Sequence, residues 1–264
     1  MRFLKKISKN LIILDEDTSK IVKILNLLSV FLLLGFIFNF AFRKINYNFD
    51  WDVIWRFRRS ISKGFWMTLQ LSFFSLILSL IIGVLTALSS LSKILPLRFI
   101  SKIYVEFIRG TPLLVQILVF YYIVANSINL DNRFVAGVVV MSLFSGAYIA
   151  EIIRAGIKSI AESQLETAKS LGLTEYQTYV YVIFPQVITR TLPPLAGQFA
   201  SLIKDSSLLS IISVHEFTMV AKEINSSTFS TMEAYLPLTV GYLILTLPVS
   251  RFTKYLERKF AYAS

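Results

Sequence analysis

ETAKSLGLTEYQTYVYVIFPQ, residues 166–186, is a polar, helix-like stretch with a central glycine and a proline near its end. What flanks it decides the fold. Upstream, Ile24–Phe42 runs 19 residues without a charge, Gly64–Ser92 runs 29, Gly110–Leu130 runs 21 and Phe134–Ala150 runs 17. Downstream, Ala234–Ser250 runs 17, and Thr191–Val214 is a sixth run interrupted by Lys204 and Asp205. An α-helix rises about 1.5 Å per residue and a bilayer core is about 30 Å thick, so about 20 apolar residues cross it. One soluble core cannot absorb six such runs. The pattern therefore predicts an all-α, polytopic transmembrane helical bundle of about six spanning helices. Composition agrees: 55% of the 264 residues are hydrophobic and only 16% charged, against roughly a quarter in a soluble domain. The mean hydropathy is +0.65.

The formal charge of +11 would suggest nucleic acid on a soluble protein. On a membrane protein it reports orientation, because Lys and Arg collect in cytoplasmic loops, and no nucleic-acid partner is expected. With both termini inside, the inner segments carry 17 basic residues and the outer segments 9, Arg109 sitting at a helix boundary. The bias predicts a multi-pass protein with cytoplasmic N- and C-termini. The loop 43–63 runs against it with Arg43, Lys44, Arg56, Arg58, Arg59 and Lys63. Either WDVIWRFRRSISKGFW lies flat in the outer interface, where Trp51, Trp55 and Trp66 anchor and basic side chains snorkel, or the first run does not cross. The length of Ile24–Phe42 favours the flat segment. That run is also too long for a signal-peptide core, and no small-residue cleavage site follows it, so it is expected to be retained. With no cysteine and one histidine, His215, neither disulfides nor a metal site are expected.

The polar stretch falls on the inner side and carries helix punctuation. Ser163-Gln164-Leu165-Glu166 fits a capping box, Gly172 fits the left-handed position after a helix, and Thr174-Glu175-Tyr176-Gln177 fits a second capping box. The spacing predicts a short helix, a glycine break, and a second helix that Pro185 kinks or ends. Leu165, Ala168, Leu171 and Leu173 would then stand among polar residues on a compact protrusion. This is either a docking surface or a loop packed on the bundle.

The stretch resembles the EAA motif of the membrane subunits of ATP-binding-cassette (ABC) importers. That motif runs Glu-Ala-Ala, three residues, Gly, nine residues, Ile, one residue, Leu-Pro. Here Glu166-Thr167-Ala168, Gly172 and Val182-Ile183-Phe184-Pro185 keep the spacing, with Thr167, Val182 and Phe184 as the departures. FIRGTPLLVQ (107–116), SGAYIAEIIRAGI (145–157), SQLETAKSLGL (163–173), FPQ (184–186), LPPL (192–195) and LIKDSSLLSII (202–212) resemble, in order, the polar amino-acid permeases of that family. The resemblance implies an importer transmembrane domain over 64–258, preceded by an extension (1–63) with one transmembrane helix and the interfacial segment, and followed by a cytoplasmic tail (259–264).

The resemblance implies a transport subunit rather than an enzyme. A second permease, identical or related, would pair with it around a central path, and an extracytoplasmic binding protein would deliver glutamate, glutamine, histidine, arginine or a related amino acid. Cytoplasmic ATPase subunits, which would hold ATP and magnesium, would grip the protrusion through Glu166, Thr167, Ala168, Leu171, Gly172, Leu173, Val182 and Pro185. The sequence has no G-x-x-x-x-G-K-[S/T] phosphate loop, which fits an ATPase on another chain. Glu166 either caps its helix or reaches a basic residue of the ATPase. Ala168 is small enough for a partner to approach, and Gly172 sets the angle.

Polar residues in apolar surroundings are candidates for the substrate path: Gln116, Gln198, Lys204 and Asp205. Lys204 and Asp205 point about 100° apart on a helix and either bind the two ends of an amino acid or mark the end of the span near Ile203. Gln116, Gln70 and Gln198 read first as interhelical hydrogen bonds. Glu151 and Arg154 read as an intrahelical pair, Arg109 as pairing with a neighbouring chain or snorkelling, and His215-Glu216 as structural. A secondary transporter or channel would need internal repeats and intramembrane carboxylates, of which Asp205 is the sole candidate. An intramembrane enzyme would need a nucleophile–base pair or metal ligands.

Overall fold

The computed structural model of the protein describes residues 20–44 and 47–261. The basic residues within 1–19 and the end of the 259–264 tail lie outside them. The chain divides into two compact units, Met1–Phe49 and Asp50–Ser264. The first holds α1 (Lys20–Lys44), whose stretch Ile21–Phe40 is long and apolar enough to cross a bilayer.

In the second unit the order is α2 (Asp52–Arg56), α3 (Arg58–Leu91), α4 (Leu95–Gly110), α5 (Leu113–Val119, continued by a π-helical turn, Phe120–Ala125) and α6 (Arg133–Lys158). Then come α7 (Glu162–Ser170), α8 (Glu175–Thr178, continued by a π-helical turn, Tyr179–Ile183), α9 (Phe184–Asp205, continued by a 3₁₀ segment, Ser206–Ile212), α10 (Phe217–Thr228) and α11 (Thr231–Ala261). Every regular element among the described residues is helical.

Four helices, α1, α3, α6 and α11, are each long and apolar enough to span. The other two expected spans are built differently. Gly110–Leu130 is not one helix: its apolar part is α5 with its π turn, which meets α4 at a bend of 110°. The bend follows from Gly110-Thr111-Pro112, since Pro112 cannot continue the hydrogen-bond ladder. Thr191–Val214 starts earlier, at Phe184, and ends as a 3₁₀ segment. Arg190, Lys204 and Asp205 bracket its apolar part, and Pro193 and Pro194 lie inside it.

The segment 43–63 does not lie flat as one piece. From Arg58 on it is the first part of α3, a helix of 34 residues and so about 51 Å long at ~1.5 Å per residue, more than a bilayer core needs. Before it, Val53 of α2 is buried against Val220, Ile224 and Ala234 of α10 and α11. The backbone N–H of Asp50 donates to the buried Glu233 carboxylate at 2.6 Å. Two of the basic residues find local partners: Arg56 pairs with Asp50, and the Arg58 guanidinium lies 4.5 Å from the Trp55 ring centroid.

The centre of the bundle is α3 against α6. Lipid tails are as apolar as leucine, so membrane helices associate through close packing rather than water exclusion, and small residues let the backbones approach. On α3 the buried face reads Gly64, Thr68, Ser72, Ser75, Ser79, Gly83 and Ala87, one small residue every three or four. On α6 it includes Gly137, Ser142, Ser145, Gly146 and Ala150. The fit is reciprocal: a Cβ on Gly83 would collide with Ile149, and one on Gly146 would sit 2.8 Å from Ile82 Cγ2. Ser142 Oγ donates across the seam to the Ser75 carbonyl at 3.3 Å and within its own helix to Val138 at 2.6 Å. Around this pair Leu71, Ile117, Met141, Leu202 and Leu209 form the main apolar core. Gly83→Leu should therefore force α3 and α6 apart at a cost of about 1–3 kcal/mol, read as a lower melting temperature in detergent. Gly197→Ala, on α9 where nothing lies within 4 Å of the added carbon, should not lower it, since alanine is the better helix former.

Candidate functional site

The protrusion is a hairpin of α7 and α8 closed by a complete set of C-terminal helix bonds. The Gly172 N–H donates to the Lys169 carbonyl at 2.9 Å and the Leu173 N–H to the Ala168 carbonyl at 3.0 Å. These are the two bonds of a Schellman ending, which needs a left-handed residue between them. Gly172 supplies it at φ +74°. The turn then enters α8 through a full capping box: Thr174 Oγ1 accepts from the Gln177 N–H, and Gln177 Oε1 accepts from the Thr174 N–H. The second punctuation mark of the sequence therefore forms as expected.

The first does not. α7 starts at Glu162 with Ala161 as its unassisted cap, so Ser163 already lies inside the helix. Glu166 caps nothing: it is exposed in mid-helix and carries no ion pair among the described residues. Ala168 also departs from expectation. It is 2% exposed, so its small size serves the hairpin's own packing rather than an approaching surface. Nor does Pro185 end the second helix. Its missing donor falls inside a continuous helix and is accommodated by the π-helical turn immediately before it. The chain stays helical from Glu175 through Asp205.

The hairpin encloses a shallow groove of about 280 Å³. Thr167, Ala168, Leu171, Leu173 and Val182, five of the eight residues expected to meet a partner, line it. Leu171 stands at its lip, 75% exposed, and Tyr176, Tyr179 and Tyr181 are exposed beyond. Two polar links hold α9 against what precedes it, one from the hairpin and one from Ser159, the residue that caps the end of α6. Gln186 Nε2 donates to Gln164 Oε1 at 2.7 Å, and Arg190 Nη1 donates to Ser159 Oγ at 2.7 Å as well as to its carbonyl. The sequence reading singled out neither link, because both join residues more than twenty positions apart. Their only trace is that both glutamines fall inside quoted phrases, SQLETAKSLGL and FPQ.

The candidate path residues have separate surroundings. Gln116 of α5 donates to the carbonyl of Ile108 in α4 (2.7 Å), the interhelical bond expected, and to the Thr111 carbonyl (3.1 Å) and Oγ1 (2.8 Å), stapling the α4–α5 bend. Its Oε1 is buried without a partner among the described residues. Gln198 also joins helices, donating to Ser145 Oγ at 3.3 Å, while Gln70 is exposed. Lys204 and Asp205 close the last turn of α9, beyond Ile203 but before the 3₁₀ segment, so the helix does not end ahead of them. Arg109 pairs within its own chain, with Glu151 Oε2 at 2.9 Å. Arg154 holds the other oxygen of the same carboxylate. The intrahelical pair of the sequence is thus a three-residue cluster joining α4 to α6.

His215 Nε2 lies 3.0 Å from Glu223. Glu216, in the connection after the 3₁₀ segment, is fully buried and caps α10, accepting from the Thr218 and Met219 N–H groups at 2.8 Å each and from Tyr242 O–H at 3.2 Å. The structural reading of this pair holds.

The chain belongs to the family of binding-protein-dependent transport system inner membrane components, whose model matches residues 79–262. It is a multi-pass transport subunit of the ABC importer class. It is 39% identical over 197 residues to the probable glutamine ABC transporter permease protein GlnM of Bacillus subtilis, covering 74% of this chain and 91% of that protein. It is 38% identical over 212 residues to the L-cystine transport system permease protein TcyB of the same organism, covering 79% and 90%. A crystal structure of an amino acid ABC transporter with histidines matches 81% of this chain and 100% of that chain, with a TM-score of 0.75 and 35% identity.

Burial pushes the Glu216 carboxyl up to about 7, against the pull of its two backbone donors. The unfolded carboxyl titrates near 4.5, so the folded state holds the proton more tightly. Stability from this group is complete below about 4.5 and is lost as pH rises toward 7. Glu216→Gln should flatten that pH dependence of the melting temperature. Thr174→Ala should cost about 1 kcal/mol, read as faster amide exchange across 174–178 with the rest of the bundle unchanged.

Proposed function

We propose that the chain is the membrane subunit of an ATP-driven importer of polar amino acids, of the glutamate, glutamine, histidine and arginine class. In this reading the α7–α8 hairpin rests in a cleft of a cytoplasmic ATPase, which holds ATP and magnesium. Two permease subunits enclose the path, and an extracytoplasmic binding protein delivers the cargo. The observation that carries the proposal is mechanical. The hairpin is closed at a left-handed glycine, bears an exposed leucine at its lip, runs without a break into α9 and is bonded to it through Gln164 and Gln186. A push on Leu171 is therefore delivered to a helix that runs into the bundle. The substrate class is supported by the glutamine and cystine relatives and by the solved amino acid transporter. The excess of basic residues in the inner segments supports cytoplasmic termini and a cytoplasmic hairpin in the cell's inner membrane.

The lever reading makes Gly172 the test. A Cβ there meets nothing within 4 Å, but φ is +74°, so the penalty is backbone strain alone, about 1–2 kcal/mol for an L-residue and greater for a β-branched one. A strain of that size changes the balance between hinge states by roughly 5- to 30-fold. Gly172→Val should cut uptake of labelled amino acids by about that factor, with normal amounts of protein in the membrane. Gly172→Asn, which tolerates the left-handed region, should keep most of it. Wild-type uptake by the valine variant would show that the hairpin is not the lever.

A further inference from the structure

The inner ends of three helices enclose a cavity that none of the roles above uses. Its volume is about 550 Å³, and it lies between the end of α3, the length of α4 and the end of α6. Four cations line it, Arg98 and Lys102 from α4 and Arg154 and Lys158 from α6, against two carboxylates, Glu106 and Glu151. Glu151 is already shared by Arg109 and Arg154, and Glu106 reaches Lys102 only at 3.8 Å with both side chains exposed. Arg98 and Lys158 have no ion pair among the described residues. The hydroxyls of Thr86 and Ser90 line the same cavity. The site is thus built for an anion with several acceptor oxygens.

The second observation is α4 itself. Leu95, Phe99, Ile103 and Phe107 repeat every four residues and are all exposed, at 59–66%. They form one apolar ridge along the helix, and Leu95 and Phe99 continue into the wall of the cavity. Arg98 and Lys102 sit beside that ridge. A helix with a basic face and an apolar face, at the end of two spans, has the character of an element lying at the bilayer surface. Basic pockets between membrane helices suit acidic lipid head groups. A free phosphate would use the cations and leave the ridge unexplained.

We infer that this cavity is a binding site for an acidic phospholipid, its phosphate held by Arg98 and Lys158 and its acyl chain laid along Leu95, Phe99 and Ile103. The inference rests on α3 and α6 being membrane spans and on neither the substrate nor the coupling to an ATPase.

The test is native mass spectrometry of the full chain, reconstituted in discs of phosphatidylcholine and phosphatidylglycerol. The wild type should retain phosphatidylglycerol in preference to phosphatidylcholine. Arg98→Gln with Lys158→Gln should reduce that preference by about fivefold per charge removed. Arg98→Lys with Lys158→Arg should preserve it, which separates charge loss from misfolding. Lys254→Gln with Arg258→Gln, which removes the same charge from the end of α11, should also leave it intact. Phe99→Ser should weaken retention with no change in charge. An unchanged preference in the Arg98/Lys158 double glutamine variant would overturn the inference. So would displacement of phosphatidylglycerol by inorganic phosphate alone, which would make this a free-anion site. So would cross-linking of Lys102→Cys to another protein subunit in native membranes, which would make this face a protein interface.

Discussion

The rest of the structure depends on how closely α3 and α6 approach. In water a bundle is driven together by burying apolar surface, but in lipid that drive is absent and contact distance decides. Here Ile149 enters the space over Gly83 and Ile82 the space over Gly146, with serines filling the seam between them. That contact fixes α6, and α6 carries Glu151 toward Arg109 of α4 and Ser145 toward Gln198 of α9. It also leads directly into the protrusion at its C-terminal end. One helix pair thus positions the α4–α5 bend, the composite helix α9 and the start of the hairpin.

The hairpin itself depends on local bonding rather than burial. Its first helix, α7, is short, and short helices are marginal on their own. What holds it is the paired closing bonds around Gly172, the capping box at Thr174 and the Gln164–Gln186 link. The second arm continues without a break into α9, so the hairpin is closed within itself and joined to the bundle by a continuous helix. The buried Ala168 belongs to the same logic. Its size lets the hairpin fold upon itself and leaves Leu171 to face outward.

Much of this was legible in the sequence, for physical reasons. Charge-free runs mark spans because the bilayer excludes charge, and Gly172 and the Thr174 box mark the turn because each is a local backbone requirement. Features that depend on tertiary geometry were not legible. The S-x-x-E pattern at Ser163 competes with a helix that starts one residue earlier, and nothing local decides between them. Pro185 looks like a terminator until a π-helical turn absorbs its missing donor. Arg109 finds Glu151 only once the 110° bend brings α4 over α6. The small residues from Gly64 to Ala87 did carry a readable signal, since one falls at every third or fourth position of a single helix. A search by hydropathy alone passes over it, because glycine, serine and threonine are neither charged nor strongly apolar.

In the proposed function Leu171 meets a separate ATPase on the cytoplasmic side. The chain has no cysteine, so a single Leu171→Cys substitution reports that position alone. The most direct measurement is its labelling by a membrane-impermeant maleimide in intact cells and in inside-out vesicles, with and without the ATPase subunit. Docking of Leu171 on a cytoplasmic ATPase predicts no labelling in intact cells, labelling in inside-out vesicles stripped of the ATPase, and protection when the ATPase is bound. Labelling from outside, or equal labelling whether or not the ATPase is bound, would contradict it.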